Sequence, residues 1–207
     1  VPELKGPDFG TCTEAVPTGG TVRVPNGAYH LTSSVPVTVY QFNAIEYAPQ
    51  GGPPGKNWSS CPASQCLFGI QCFSYSNDAS LLLPAPAFTG NYRVIGYHGW
   101  DQASIGGTVT ITGTQAGTSV TVTLAATASL VAGGGLPAAG PGQVVTFSLE
   151  EGEVVQLYGS AASDFSGSLV QADKPVQVIH GLPCTFIPDE AGACDHIEES
   201  VFPAETL

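Results

Sequence analysis

An all-β fold follows from three features of this 207-residue chain. β-Branched residues occur in short runs that alternate with polar ones, Gly and Pro sit between those runs, and no stretch repeats apolar residues at the 3.6-residue period of a helix. The clearest alternation lies in Thr108, Val109, Thr110, Ile111 and Thr112, and again in Ser119, Val120, Thr121, Val122 and Thr123. Period 2 sends successive side chains to opposite faces, so these segments read as strands buried on one side. The expected architecture is β-sandwich units with Gly/Pro-rich loops and a truncated second repeat. A β-propeller-like or other closed β repeat is the alternative.

In chain order, residues 1–26 are a Pro- and Gly-punctuated lead-in ending in a first strand at 21–24. Pro25, Asn26 and Gly27 make a turn, because Asn and Gly tolerate positive φ. Strands are expected at 29–32 and 37–42. Residues 48–72 lack any period and are rich in Pro, Gly and Cys, which marks a stapled loop inserted in the first unit. Further strands are expected at 80–83, 92–96, 108–112, 119–124, 144–149 and 153–158. Residues 115–118 read as a hairpin turn between two of them, and 150–152 as another turn.

A weak internal echo sets Pro36 against Pro175, with residues 27–39 facing 166–178 and residues 77–84 facing 195–203. The echo places a first β unit at 27–165 and the start of a second at 166–207.

Composition narrows the function. Seventeen acidic against five basic residues give a net charge of −12, which argues against nucleic acid and against anionic membrane surfaces. No run approaches the roughly 18 apolar residues that span a bilayer. The sequence starts at Val1 with no visible signal peptide and reads as a mature protein or a fragment. Six cysteines, no Met and few Lys fit an extracellular, oxidising compartment.

Cys184, just after Pro183, and Cys194 bracket a loop containing Pro188 and Gly192, which reads as disulfide-closed; such a short closure contributes on the order of 2–3 kcal/mol. The other cysteines allow three pairings, and Cys61 with Cys66 plus Cys12 with Cys72 is the one preferred. Asp195, Glu198 and Glu199, with Asp78 at the echoed place, form a candidate Ca²⁺ site, since that ion takes hard oxygen ligands; no other cofactor is expected. The alternative is loop carboxylates bonding backbone. Asn57, Trp58 and Ser59 form a glycosylation acceptor pattern, meaningful if the source glycosylates. No Gly-x-Ser-x-Gly elbow or His-Glu-x-x-His motif is present, and Glu198 and Glu199, adjacent on a strand, point to opposite faces. The chain therefore does not read as an enzyme.

Residues 164–181, followed by Cys184 and then Cys194, Asp195, His196, Ile197, Glu198 and Glu199, resemble the IgG Fc-binding protein N-terminal domain family, in the form of its secreted bacterial, myxobacterial-like members. Residues 35–43 and 76–84 resemble other recurrent segments of that family. The resemblance implies a secreted or cell-surface adhesion module without catalytic residues, binding a protein or glycan ligand. A structural subunit of an extracellular fibre or sheath, assembled through open β edges, is the second reading. A calcium-dependent carbohydrate-binding protein is the third.

Overall fold

The computed structural model describes residues 20–42, 79–189, 191 and 195–206, with backbone alone at 42, 103, 183, 184, 195 and 206. They contain ten strands: β1 (Val22–Val24), β2 (Val39–Phe42), β3 (Ala79–Leu82), β4 (Thr89–Arg93), β5 (Thr108–Gly113), β6 (Thr118–Thr123), β7 (Val144–Leu149), β8 (Val154–Tyr158), β9 (Leu169–Thr185) and β10 (Asp195–Ser200). Helix among the described residues is confined to three-residue 3-10 turns at Ala85–Ala87, Asp101–Ala103 and Ala204–Thr206. The all-β class read from the sequence is the class observed.

The chain divides into two units, of which Val1–Thr18 with Phe42–Asn77 lies outside the described residues apart from the backbone of Phe42. The stapled insertion expected at 48–72 falls there. Gly19–Gln41 with Asp78–Leu207 form the other unit, and β2 pairs with β3 as a separate two-stranded ribbon.

Eight strands make one antiparallel sheet in the order β1-β8-β5-β9-β6-β7, with β4 and β10 also on β9. β9 is its spine. Along one edge it pairs β6 (Val120↔Ala172) and then β5 (Ile111↔Val178). Along the other it pairs β4 (Tyr92↔Val170) and then β10 (Ile197↔Leu182). Residues 166–207, expected to open a second unit, thus supply β9 and β10 to the same sheet as the strands before them. The sheet is one continuous antiparallel curl.

The turn at 115–118 is not a hairpin. β5 and β6 do not pair with each other; they lie end to end against β9, and β8 and β7 lie end to end against them (Thr112↔Val154, Thr118↔Leu149). Three long segments, 108–123, 144–158 and 169–185, therefore run side by side and each bends near its middle. The bends are bonded to one another. Gly113 N–H donates to Glu153 O at 3.0 Å and Gly152 N–H to Gly113 O at 2.9 Å. Lys174 Nζ donates to Ala116 O (2.6 Å) and Gly117 O (3.2 Å), Thr114 Oγ1 donates to Pro175 O, and Ser119 N–H donates to Asp173 Oδ1 at 2.8 Å. Tyr92, buried in β4, donates its hydroxyl to Val176 O just beyond the bend of β9.

The Thr/Val alternation does in the fold what it implies in sequence. β7 alternates exposed and buried residues throughout, and Val109, Ile111, Val120, Val122, Val145, Phe147, Leu149, Val155, Leu157, Val170, Val176 and Val178 form one core. Each such side chain contributes about 1.5–3 kcal/mol when fully removed from water. The short β1 is held to the bend by Arg23, whose Nε and Nη2 donate to Glu153 at 2.6 and 3.0 Å and whose Nη2 also reaches Ser148 O at 2.5 Å. Glu153 is buried and also accepts from Glu150 N–H.

The strand expected at 29–32 is absent. Ala28 N–H donates to Gly152 O, and beyond it residues 29–38 find no neighbouring strand among the described residues. β4 begins three residues before the strand expected at 92–96, because Gly90 and Asn91 carry little strand propensity and hide its start. Gly90 is needed there, because a Cβ would stand 2.2 Å from Ala172 O.

Two consequences are testable. A Cβ at Gly113 would stand 2.5 Å from Glu150 O and 2.9 Å from Leu149 Cβ. Gly113→Ala should therefore cost about 1–3 kcal/mol, read as a melting-point fall of roughly 5 °C. Arg23→Ala should cost about 2 kcal/mol in urea unfolding at pH 7, because it strips a buried carboxylate of its donors. The hydrogen bonds from Arg23 hold the Glu153 carboxyl below its usual range. The pair's contribution is thus complete at neutral pH and disappears as pH falls through the lowered value, so the cost of Arg23→Ala should shrink in strong acid.

Candidate functional site

The acidic motif at 195–199 lies on β10, and its alternation separates its carboxylates. Glu198 pairs across to Gly181 and Glu199 to His180. Glu198 Oε2 accepts from Gln41 Nε2 at 2.8 Å and lies 3.9 Å from His196 Nε2, two residues back on the same face. Glu199 Oε2, on the other face, accepts from the buried Ser80 hydroxyl at 3.1 Å. Ser80 Oγ in turn accepts from Ser200 N–H at 2.8 Å. Asp78 and the Asp195 side chain lie outside the described residues, so the four-carboxylate Ca²⁺ site is not assembled among them. No group of three His, Cys, Asp or Glu side chains converges among the described residues. Cys12, Cys61, Cys66, Cys72 and Cys194, the Cys184 side chain and Asn57 also fall outside them. The backbones of β9 and β10 pair as far as Thr185↔Asp195.

A second cluster, not singled out from the sequence, lies where residues 94–107 meet the end of β9. This loop is anchored along its length. Val94 N–H donates to Ser168 O at 2.9 Å and Gly96 N–H to Ser166 Oγ at 3.1 Å. Thr185 Oγ1 donates to His98 O at 3.1 Å, and Trp100 and Ile105 exchange backbone bonds of 2.8 and 3.0 Å. Gly106 N–H donates to Tyr158 OH at 3.0 Å. Close backbone approach makes this possible: a Cβ at Gly99 would stand 2.1 Å from Ile105 O, and one at Gly106 1.9 Å from Gly159 O.

The anchored loop displays aromatic and polar groups together. Tyr97 OH donates to Asp189 Oδ1 at 2.8 Å, and His98 Nε2 lies 3.1 Å from the same oxygen. The two rings stack with centroids 4.4 Å apart. His98 Nδ1 lies 2.9 Å from Gly99 O, so both ring nitrogens face oxygen acceptors. Trp100 meets Phe186 edge to face at 4.9 Å, a favoured aromatic geometry. Ile187 beside Phe186 is 56 % exposed, and the side chains of His98 and Asp189 are 45 % and 60 % exposed. Aromatic residues held half-exposed on a fixed backbone are the composition of protein-binding surfaces. The residue types were visible in the sequence, but nothing in it joins residues 97–100 to 186–189.

A family model described as IgGFc binding protein matches residues 78–207, well over half of the chain. The chain belongs to the IgGFc binding protein family. No curated protein and no solved structure matches it. The family match covers β3 through the last 3-10 turn, and so includes both the 97–100/186–189 cluster and the acidic strand β10. The family is one of binding domains, consistent with carboxylates on β10 that diverge. Among the described residues no helix is long and apolar enough to cross a membrane.

Beneath the cluster, His180 occupies a core-facing position of β9 in series with Val176, Val178 and Leu182. Its Nε2 has no hydrogen-bond partner, and a Cβ on Gly96 would stand 2.3 Å from it. Burial pushes its pKa down to about 4, against a weak opposing pull from Asp164. Between about pH 6.5 and 4 the unfolded chain binds a proton that the folded one refuses, so stability falls by about 3 kcal/mol as pH drops through that window. Urea midpoints at pH 7, 5.5 and 4 should show this slope, and His180→Leu should remove its share of it.

Proposed function

We propose that this member of the IgGFc binding protein family is a secreted or cell-surface, non-catalytic adhesion module. It engages a protein ligand through the face formed by Tyr97, His98, Trp100, Phe186, Ile187 and Asp189. The observation that carries the reading is the anchoring of that face. Its backbone is tied by the bonds of Val94 to Ser168, Gly96 to Ser166, His98 to Thr185 and Gly106 to Tyr158, so little conformational entropy is lost when a ligand docks. The family match supports a binding role. The divergence of Glu198 and Glu199, each already accepting from a protein donor, argues for a role without catalysis.

The test begins with immobilised IgG Fc and an array of extracellular proteins and glycans as probes. Against whichever protein is captured, Tyr97→Ala and Trp100→Ala should each weaken binding by at least about tenfold, the effect of losing an interface anchor. Glu198→Gln should leave it unchanged. Equal affinity of Tyr97→Ala and wild type, with both folded by circular dichroism, would remove this face from consideration.

A further inference from the structure

Residues 29–38 carry the pattern of a strand and occupy no sheet. In extended chain, alternate residues share a face. One face here holds Tyr29, Leu31, Ser33, Val35 and Val37, and the other His30, Thr32, Ser34, Pro36 and Thr38. All ten residues are exposed: Tyr29 by 96 %, Leu31 by 65 %, Val35 by 63 % and Val37 by 58 %. The segment is tied at its root by the bond from Ala28 to Gly152 and carries a local turn in which Ser33 Oγ and Val35 bond each other. A strand with one apolar face and nothing against it is what monomeric proteins ordinarily bury.

The sheet has the matching deficiency. β7 pairs β6 along one edge and, among the described residues, no strand along the other. Natural edge strands are blunted by Lys, Pro, inward charges or bulges. β7 runs Val144, Val145, Thr146, Phe147, Ser148, Leu149, and its register with β6 is unbroken over all six pairs. None of those devices is present. Arg23 occupies one carbonyl near its end, Ser148 O.

Charge selects the partner. With a net charge of −12, two copies of this chain repel over most of their surfaces. Residues 25–42 and 139–149 contain no Asp, Glu, Lys or Arg, and Arg23, which reaches the edge at Ser148 O, is already paired with Glu153, so two copies meet at arm and edge without burying an unpaired charge. We propose that residues 29–38 add as a strand to the open edge of β7 in a second copy of this chain. Each copy carries both arm and edge, so the pairing closes reciprocally or propagates head to tail. Ten extended residues reach about 33 Å and six-residue β7 about 20 Å, so the arm covers the edge with length to spare. Pro36 lacks an N–H, which an outermost strand tolerates.

The test is sedimentation velocity of the full chain from about 1 to about 100 µM, the range expected of a contact this small. Mass should rise above the monomer value with concentration. Leu31→Asp on the arm and Val144→Lys on the edge should each weaken association at least about tenfold, with unchanged melting points because both residues are exposed. Amide exchange should slow at 29–35 and at 144–148 as assembly proceeds. A chain that stays monomeric throughout overturns the proposal, as does association at wild-type strength in either variant. A dimer that survives a non-reducing denaturing gel and vanishes with reductant overturns it as well, by moving the contact to the cysteines.

Discussion

The molecule depends on a line of bends crossing three adjacent strands at one level, at residues 113–117, 150–153 and 173–175. Bending a paired strand uncovers backbone donors and acceptors, and leaving them buried and unmet costs about as much as a lost hydrogen bond each. Here each bend supplies the partners of the next. Gly113 bonds Glu153 and Gly152, Lys174 and Thr114 bridge the bends of β9 and the β5–β6 segment, and Arg23 closes the line on Glu153 from β1. Because the bends coincide, the sheet curls as a whole and both halves present their buried faces to one core. If one strand bent elsewhere, its ladder would break on both sides.

The curl also separates the proposed ligand face from the proposed self-pairing arm. The aromatic face grows from the ends of β5, β8 and β9 that point away from the bends, while the arm leaves the sheet at the bend itself, where Ala28 bonds Gly152. Thr108 to Gly113 spans about 17 Å of extended chain between those levels. A ligand on Tyr97 and Trp100 and a strand on β7 thus address different levels of the sheet. The bends are fixed by backbone and side-chain bonds within the sheet, so neither site requires the other to form.

How much of this was legible in the sequence follows from the range of each signal. Alternation is local, so β5, β6, β7 and β8 were readable to within a residue at each end. Pairing is not local. Gln115–Thr118 has turn composition, and whether such a turn folds a hairpin or bends a collinear pair is decided by β9, more than fifty residues away. The echo between 27–39 and 166–178 shows the same limit: similar strand-turn-Pro-strand patterns meet different surroundings, so one becomes the centre of the sheet and the other an exposed arm. At the candidate site, the opposed directions of Glu198 and Glu199 followed from strand geometry. The meeting of Tyr97, His98 and Trp100 with Phe186 and Asp189 depends on glycines 96, 99 and 106, whose close backbone approaches no periodicity encodes.

The scarcity of cations acquires a meaning from where they stand. Among the described residues the Lys and Arg side chains are Arg23, Arg93 and Lys174. Arg23 holds Glu153 and Ser148 O, Lys174 holds two carbonyls of the β5–β6 bend, and Arg93 donates to Gly167 O at 2.9 Å. All three serve backbone or a buried carboxylate at places where the chain turns. A partner approaching this unit therefore meets rings, hydroxyls and carboxylates. Recognition of a polyanion would need guanidinium or ammonium groups free to displace its counterions, and among the described residues those groups already donate to backbone carbonyls or to Glu153. The chemistry left for binding is that of aromatic anchors ringed by acceptors, which suits a neutral or basic protein surface.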